Sequence, residues 1–129
     1  MKRALPILII ALIVVAAAGC QRPERTESDA TSAPASEPQQ VDVVLGEWHV
    51  RLDPDTVKPG DIQFNIRNEG KRLHALEIEN GNIEEKSKDL KTGETDTMTV
   101  NLPAGKYNAY CPIGRHEEQG MRTTLTVKE

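Results

Sequence analysis

The chain has 129 residues, with 16 Lys and Arg, 20 Asp and Glu, 3 His and 2 Cys. That length holds about one domain. Two cysteines exclude a disulfide-dense scaffold and a four-cysteine zinc site, and a formal charge of −4 excludes a general nucleic-acid binder, which needs a basic face.

Lys2 and Arg3 form a short positive segment, and residues 4–18 are uncharged and almost wholly apolar, with Pro6 the odd member. Such a run has the length of a signal-peptide core and is short for a membrane span. It ends Ala17-Ala18-Gly19-Cys20, which resembles the bacterial lipobox. The resemblance implies cleavage of a signal peptide over residues 1–19 and lipidation of the Cys20 thiol. It implies an extracytoplasmic, membrane-anchored lipoprotein, on the periplasmic or outer cell-surface side. Several acyl chains together anchor stably where one does not. An uncleaved anchor is the alternative, and it too leaves the rest of the chain outside the cytoplasm. Gln21, in place of Asp, resembles outer-membrane sorting where a cell has two membranes. Residues 21–40 are rich in Pro, Ser, Thr, Ala and Glu and carry no large aliphatic residue. They cannot bury enough apolar area to offset chain entropy, so a disordered tether with a reach of roughly 25 Å is expected there.

Residues 41–129 read as the folded domain. Short alternating runs separated by turn signals predict an all-β sandwich or barrel. A first strand is expected over residues 41–52, with a break at Gly46. Lys58-Pro59-Gly60-Asp61 is a turn. Ile62, Phe64 and Ile66 alternate with Gln63, Asn65 and Arg67, one face apolar and one wet. Asn68-Glu69-Gly70 turns again. His74, Leu76 and Ile78 then share the inner parity, with Ala75, Glu77 and Glu79 on the other, and Asn80-Gly81 ends that strand. The charged residues 83–91 are expected to form a loop with a helical turn. Met98, Val100 and Leu102 share a face, Leu102-Pro103-Ala104-Gly105 makes a tight connection, Tyr107, Ala109 and Cys111 share the next face, and Leu125 and Val127 the last.

Parity places His74 and Cys111 inward at strand ends, where a buried imidazole and a buried thiol need an explanation. The segment Tyr110-Cys111-Pro112-Ile113-Gly114-Arg115-His116-Glu117-Glu118-Gln119-Gly120-Met121 adds an imidazole and a thioether in the order Cys-x4-His-x4-Met. A loop with one Pro and two Gly can fold back so that these donors converge, with His74 as a fourth. Two His, one Cys and a weak axial Met make the ligand set of a mononuclear blue-copper site. Each residue alone has a plainer reading: Cys111 a small buried hydrophobe, Met121 a core residue, His116 an exposed loop residue. Zinc also accepts two His and one Cys, and the Met favours copper. His49, beside Trp48, belongs to no spacing motif and is read as structural. Glu117 and Glu118 read either as a solvated loop or as an acidic rim that orients a basic redox partner.

The ligand segment resembles the copper loop of the cupredoxins, with a Cys-to-His gap similar to the rusticyanin and sulfocyanin type. Asn68-Glu69-Gly70 followed by His74-Ala75-Leu76 is similar to the cupredoxin segment that carries the first His. The resemblance implies a Greek-key, cupredoxin-like β-sandwich over residues 41–129. It also implies one type 1 copper on His74, Cys111, His116 and Met121, and a one-electron carrier rather than an enzyme. Ala75 and Pro112 stand where relatives often carry Asn or Ser and Thr or Ser, which predicts a weaker hydrogen-bonded shell and a more flexible or more tetragonal site. Gly114-Arg115 stands where relatives often have Pro-Gly. The expected protein is a lipid-anchored monomer that takes electrons from one redox protein and passes them to another, with His116 as the electron port. A copper storage or delivery protein and a copper-free β-sandwich binding module are the alternatives.

Overall fold

The computed structural model describes residues 36–129, so the expected signal peptide, the lipidated Cys20 and residues 21–35 of the tether lie outside the described residues. The strands are β1 (Gln39–Gly46), β2 (His49–Asp53), β3 (Thr56–Val57), β4 (Gly60–Asn68), β5 (Glu77–Glu79), β6 (Glu84–Lys86), β7 (Thr95–Leu102), β8 (Gly105–Tyr110) and β9 (Arg122–Val127). They form two sheets, one ordered β2-β1-β4-β7 and the other β3-β9-β8-β5-β6. Three hairpins, β1–β2, β5–β6 and β8–β9, stay within a sheet, and the other connections cross between sheets. Two pairings are parallel, β1 with β4 and β3 with β9. No helix among the described residues is long and apolar enough to cross a membrane.

Strict alternation builds the sandwich, because successive side chains on a strand face opposite sides. Val41, Val43 and Leu45 of β1, Ile62, Phe64 and Ile66 of β4, and Val100 and Leu102 of β7 supply one inner face. Ile78, Tyr107, Ala109, Leu125 and Val127 supply the other, and all belong to one buried cluster. The Tyr107 hydroxyl donates to the Pro103 carbonyl at 2.8 Å, so the largest buried ring leaves no polar atom unpaired. Gly46 does end β1, and the turn at residues 47 and 48 opens β2. β1 starts at Gln39, two residues ahead of the expected strand, because Gln39 and Gln40 pair in register with Ile62 and Gln63 of β4.

Two expectations fail between β4 and β7. Alternation does not hold over residues 74–79: Ala75 and Glu77 are buried along with His74, Leu76 and Ile78. Residues 83–91 contain no helical turn. They form the edge strand β6 and then a strap, residues 87–90, whose backbone pairs alongside His74 and Leu76. His74 and Leu90 exchange backbone hydrogen bonds of 3.0 and 2.7 Å, Ser87 N–H donates to the Leu76 carbonyl, and Leu76 N–H donates to the Ser87 hydroxyl. The buried Glu77 carboxylate accepts the Tyr110 hydroxyl. That bond, with burial second, raises the Tyr110 hydroxyl far above its ordinary pKa. β6 itself is short, charged and exposed, which blunts a sheet edge.

Asn68 ties this region to β4. Fully buried, its amide nitrogen donates to the Arg72 carbonyl at 2.7 Å and to the Leu90 carbonyl at 2.8 Å, and its oxygen accepts from Gly70 N–H at 2.8 Å. Asn68→Ala removes the side-chain partners of the Gly70 N–H and the Arg72 carbonyl and one of the two donors to the Leu90 carbonyl, which keeps His74 N–H. At ~1–3 kcal/mol per group, with partial relaxation, it is expected to cost about 3 kcal/mol in urea unfolding. A loss under about 0.5 kcal/mol would show that Asn68 does not anchor the strap.

Candidate metal centre

Cys111 follows the last residue of β8 and keeps its inward parity. The β8–β9 ladder runs to Tyr110 opposite Arg122, and Cys111 N–H donates to the Met121 carbonyl at 3.0 Å. The neck of the loop is therefore Cys111 facing Met121, both buried. Inside it, His116 N–H donates to Ile113 and Met121 N–H to His116, each at 3.1 Å, which turns the chain back on itself. Gly120 completes the turn with a φ of +114°, and a Cβ there would lie 3.1 Å from the Trp48 carbonyl. The loop thus packs on the β1–β2 turn.

His74 reaches the same place from the other sheet crossing. It is fully buried, with its backbone fixed to Leu90. His74 Nδ1 lies 3.2 Å from His116 Nδ1 and 3.8 Å from Cys111 Sγ, and Cys111 Sγ lies 3.6 Å from His116 Nδ1. The structure therefore brings His74, Cys111 and His116 together as one cluster of metal-ligating side chains. A point equidistant from the three donor atoms is about 2 Å from each, close to the length of nitrogen and sulfur bonds to a first-row metal. Two imidazole nitrogens and one sulfur suit a metal that alternates between soft and borderline states, so the donors fit one type 1 copper. Met121 is buried at the neck of the same loop.

Glu47 is the residue that sequence reasoning missed. Its carboxylate accepts Lys71 N–H at 2.9 Å and Arg72 N–H at 2.8 Å, and its Oε1 lies 3.1 Å from His74 Nε2. The Lys71 N–H lowers the Glu47 pKa to about 2, against burial and with help from Arg72 and His74, so the group is a carboxylate at any physiological pH. Gly70 makes room for this pair. A Cβ at Gly70 would stand 2.8 Å from both Glu47 oxygens and 2.8 Å from His74 Nε2. The weak shell expected from Ala75 and Pro112 is thus made good by Glu47, Asn68 and the Leu90 pairing. Glu47 belongs to no motif. It reaches His74 because the parallel β1–β4 register sets Leu45 beside Asn68, with Glu69 N–H on the Leu45 carbonyl.

Trp48 falls within the strand expected over residues 41–52, yet it lies in the turn between β1 and β2. Its ring meets the His116 ring edge-on, with centroids 5.1 Å apart, and the Arg72 guanidinium lies 5.5 Å from the Trp48 ring. Burial first, and then the neighbouring His74 and Arg72, lowers the His116 pKa below the ordinary imidazole value, which favours the neutral form that ligates metals. His116 is half-buried while Arg115 and Glu117 beside it are exposed. Glu118 pairs with Arg115 at 2.6 Å. His49 is exposed and is not among the clustered donors, and its ring lies over Gly46.

The cupredoxin-like domain family matches residues 8–127 of the chain. No curated protein matches by sequence. Among solved structures, the reduced auracyanin of the photosynthetic bacterium Roseiflexus castenholzii superposes with a TM-score of 0.60 at 19% identity, covering 70% of this chain and 98% of that one. Auracyanin A, a blue copper protein of the green thermophilic photosynthetic bacterium Chloroflexus aurantiacus, gives 0.59 at 18% identity, covering 70% and 99%. A multicopper oxidase gives 0.51 at 12% identity over 69% of this chain and 41% of its own. At these identities the likeness is one of fold.

Gly70 has no left-handed φ, so its requirement is for space alone. Gly70→Ala is expected to push Glu47 or His74 aside and to weaken Zn(II) and Cu(II) binding by roughly tenfold or more in competition titrations. Unchanged affinity would show that the close approach does not support the centre.

Proposed function

The chain belongs to the cupredoxin family, and we propose that it carries single electrons on one copper ion held by His74, Cys111 and His116, with Met121 as the weak fourth ligand. The observation that carries this reading is the donor triangle of 3.2, 3.6 and 3.8 Å, closed at the inner end of the sandwich beneath a half-buried imidazole. Bound there, copper supplies a one-electron Cu(I)/Cu(II) couple. The chain's part is to hold the donors. His74 is locked by backbone and side-chain bonds, Cys111 by the β8–β9 neck, and His116 by the loop and the Trp48 ring. Donors that stay in place for both oxidation states keep the reorganisation on electron transfer small. The buried walls of the site keep water from the sulfur.

His116 is the proposed electron port, since it alone of the three donors is only half-buried. Trp48, packed against it, widens the apolar contact offered to a partner. The partners are proposed to be a redox protein that donates and another that accepts, at a membrane to which the chain is tied through a lipid on Cys20. On that reading residues 21–38 are the tether, because Gln39 already belongs to β1. The blue copper protein auracyanin A shares the fold and supports the copper assignment.

Addition of Cu(II) to the metal-free chain is expected to give an intense visible thiolate-to-copper band that bleaches with ascorbate while the copper stays bound. Cys111→Ser is expected to abolish the band, and Met121→Leu to keep the colour and raise the potential. A coloured Cys111→Ser protein would overturn the ligand assignment, and loss of copper on reduction would identify a delivery protein instead of a carrier.

A further inference from the structure

The Glu47–His74 contact has more in it than anchorage. Both Glu47 carboxylate oxygens act as acceptors of backbone N–H groups. Its Oε1 already takes Arg72 N–H at 2.8 Å and Lys71 N–H at 2.9 Å. The proton in the 3.1 Å contact with His74 must therefore sit on His74 Nε2. In the neutral ring this leaves the lone pair on Nδ1, the nitrogen that faces Cys111 and His116. The ring has no solvent exposure, so water offers it no other arrangement. The absence of a side chain at Gly70 is the independent sign that this approach is built in, since a single Cβ would collide with both partners.

The geometry points to Glu47 as the positioning residue of the centre: its carboxylate fixes His74 in the Nε2–H tautomer and, by adding negative charge behind a ligand ring, biases bound copper toward Cu(II). A carboxylate behind an imidazole raises the basicity of the ligating nitrogen. The more highly charged Cu(II) gains more from that than Cu(I), so the carboxylate lowers the reduction potential. The bias toward Cu(II) rests on the copper reading above, whereas the tautomer does not.

The two parts separate with Glu47→Gln and Glu47→Ala in the full chain. Gln keeps an oxygen that can accept from His74 and the two backbone groups, but it removes the charge. In the metal-free wild type, nitrogen-15 spectra of the histidine rings are expected to show His74 as the Nε2–H tautomer with a slowly exchanging ring proton. Glu47→Gln is expected to retain that tautomer, to weaken Cu(II) binding by roughly tenfold with a smaller change for Cu(I), and so to raise the potential. Glu47→Ala is expected to mix the tautomers and speed proton exchange. An Nδ1–H tautomer in the wild type, or a Glu47→Gln protein with an unchanged ratio of Cu(I) to Cu(II) affinity, would overturn the inference. A wild-type chain that binds Cu(II) without a thiolate band would overturn the copper reading, and the tautomer spectrum distinguishes that failure from a failure of Glu47.

Discussion

His74 has no contact with solvent, so both nitrogens of its ring have to find partners inside the protein. An unpaired buried polar group costs about 1–3 kcal/mol, and the fold meets this demand on two sides. On one side Glu47 receives Nε2 at 3.1 Å. On the other, Nδ1 meets Cys111 and His116 at 3.8 and 3.2 Å. Two imidazoles and a sulfur brought this close, each with a lone pair to direct, form an arrangement that one cation satisfies. The need to place one ring thus accounts for the space at Gly70, the position of Glu47 and the convergence of the loop.

The rest of the sandwich serves that placement. β1 and β4 run parallel, so their ends emerge side by side and carry Glu47 and Asn68 to the same end of the sheet. Asn68 bonds the Leu90 carbonyl, and Leu90 pairs with His74, so the strap and the ring are held by one chain of hydrogen bonds. β8 and β9 continue as the neck that sets Cys111 opposite Met121. The single buried cluster behind them includes Cys111 and Met121 themselves, so the centre is the end of the core and not an addition to its surface.

Much of this was legible in the sequence wherever a strand has one wet face. Ile62, Phe64 and Ile66, then Tyr107, Ala109 and Cys111, face inward as their parity requires. The spacing from Cys111 to His116 and Met121 was legible because one loop holds all three. The failures share a cause, which is contact between segments far apart in the chain. Ala75 and Glu77 have outward parity and are buried, in the stretch whose backbone pairs with Ser87 and Leu90. The charges of residues 83–91 suggested a solvated loop, whereas the backbone of that stretch pairs with β5 and His74 while its charges point away. Glu47 gave no signal, since its role depends on a parallel pairing that no local pattern encodes.

The central claim is that the chain sets the three donors before any metal arrives and holds them through both oxidation states. Crystal structures of the metal-free, Cu(II) and Cu(I) forms at one pH test it most directly. The account predicts that His74 Nδ1, Cys111 Sγ and His116 Nδ1 keep their positions within about 0.5 Å across the three forms. A His74 or His116 ring that swings out of the centre in the metal-free or the reduced form would contradict it.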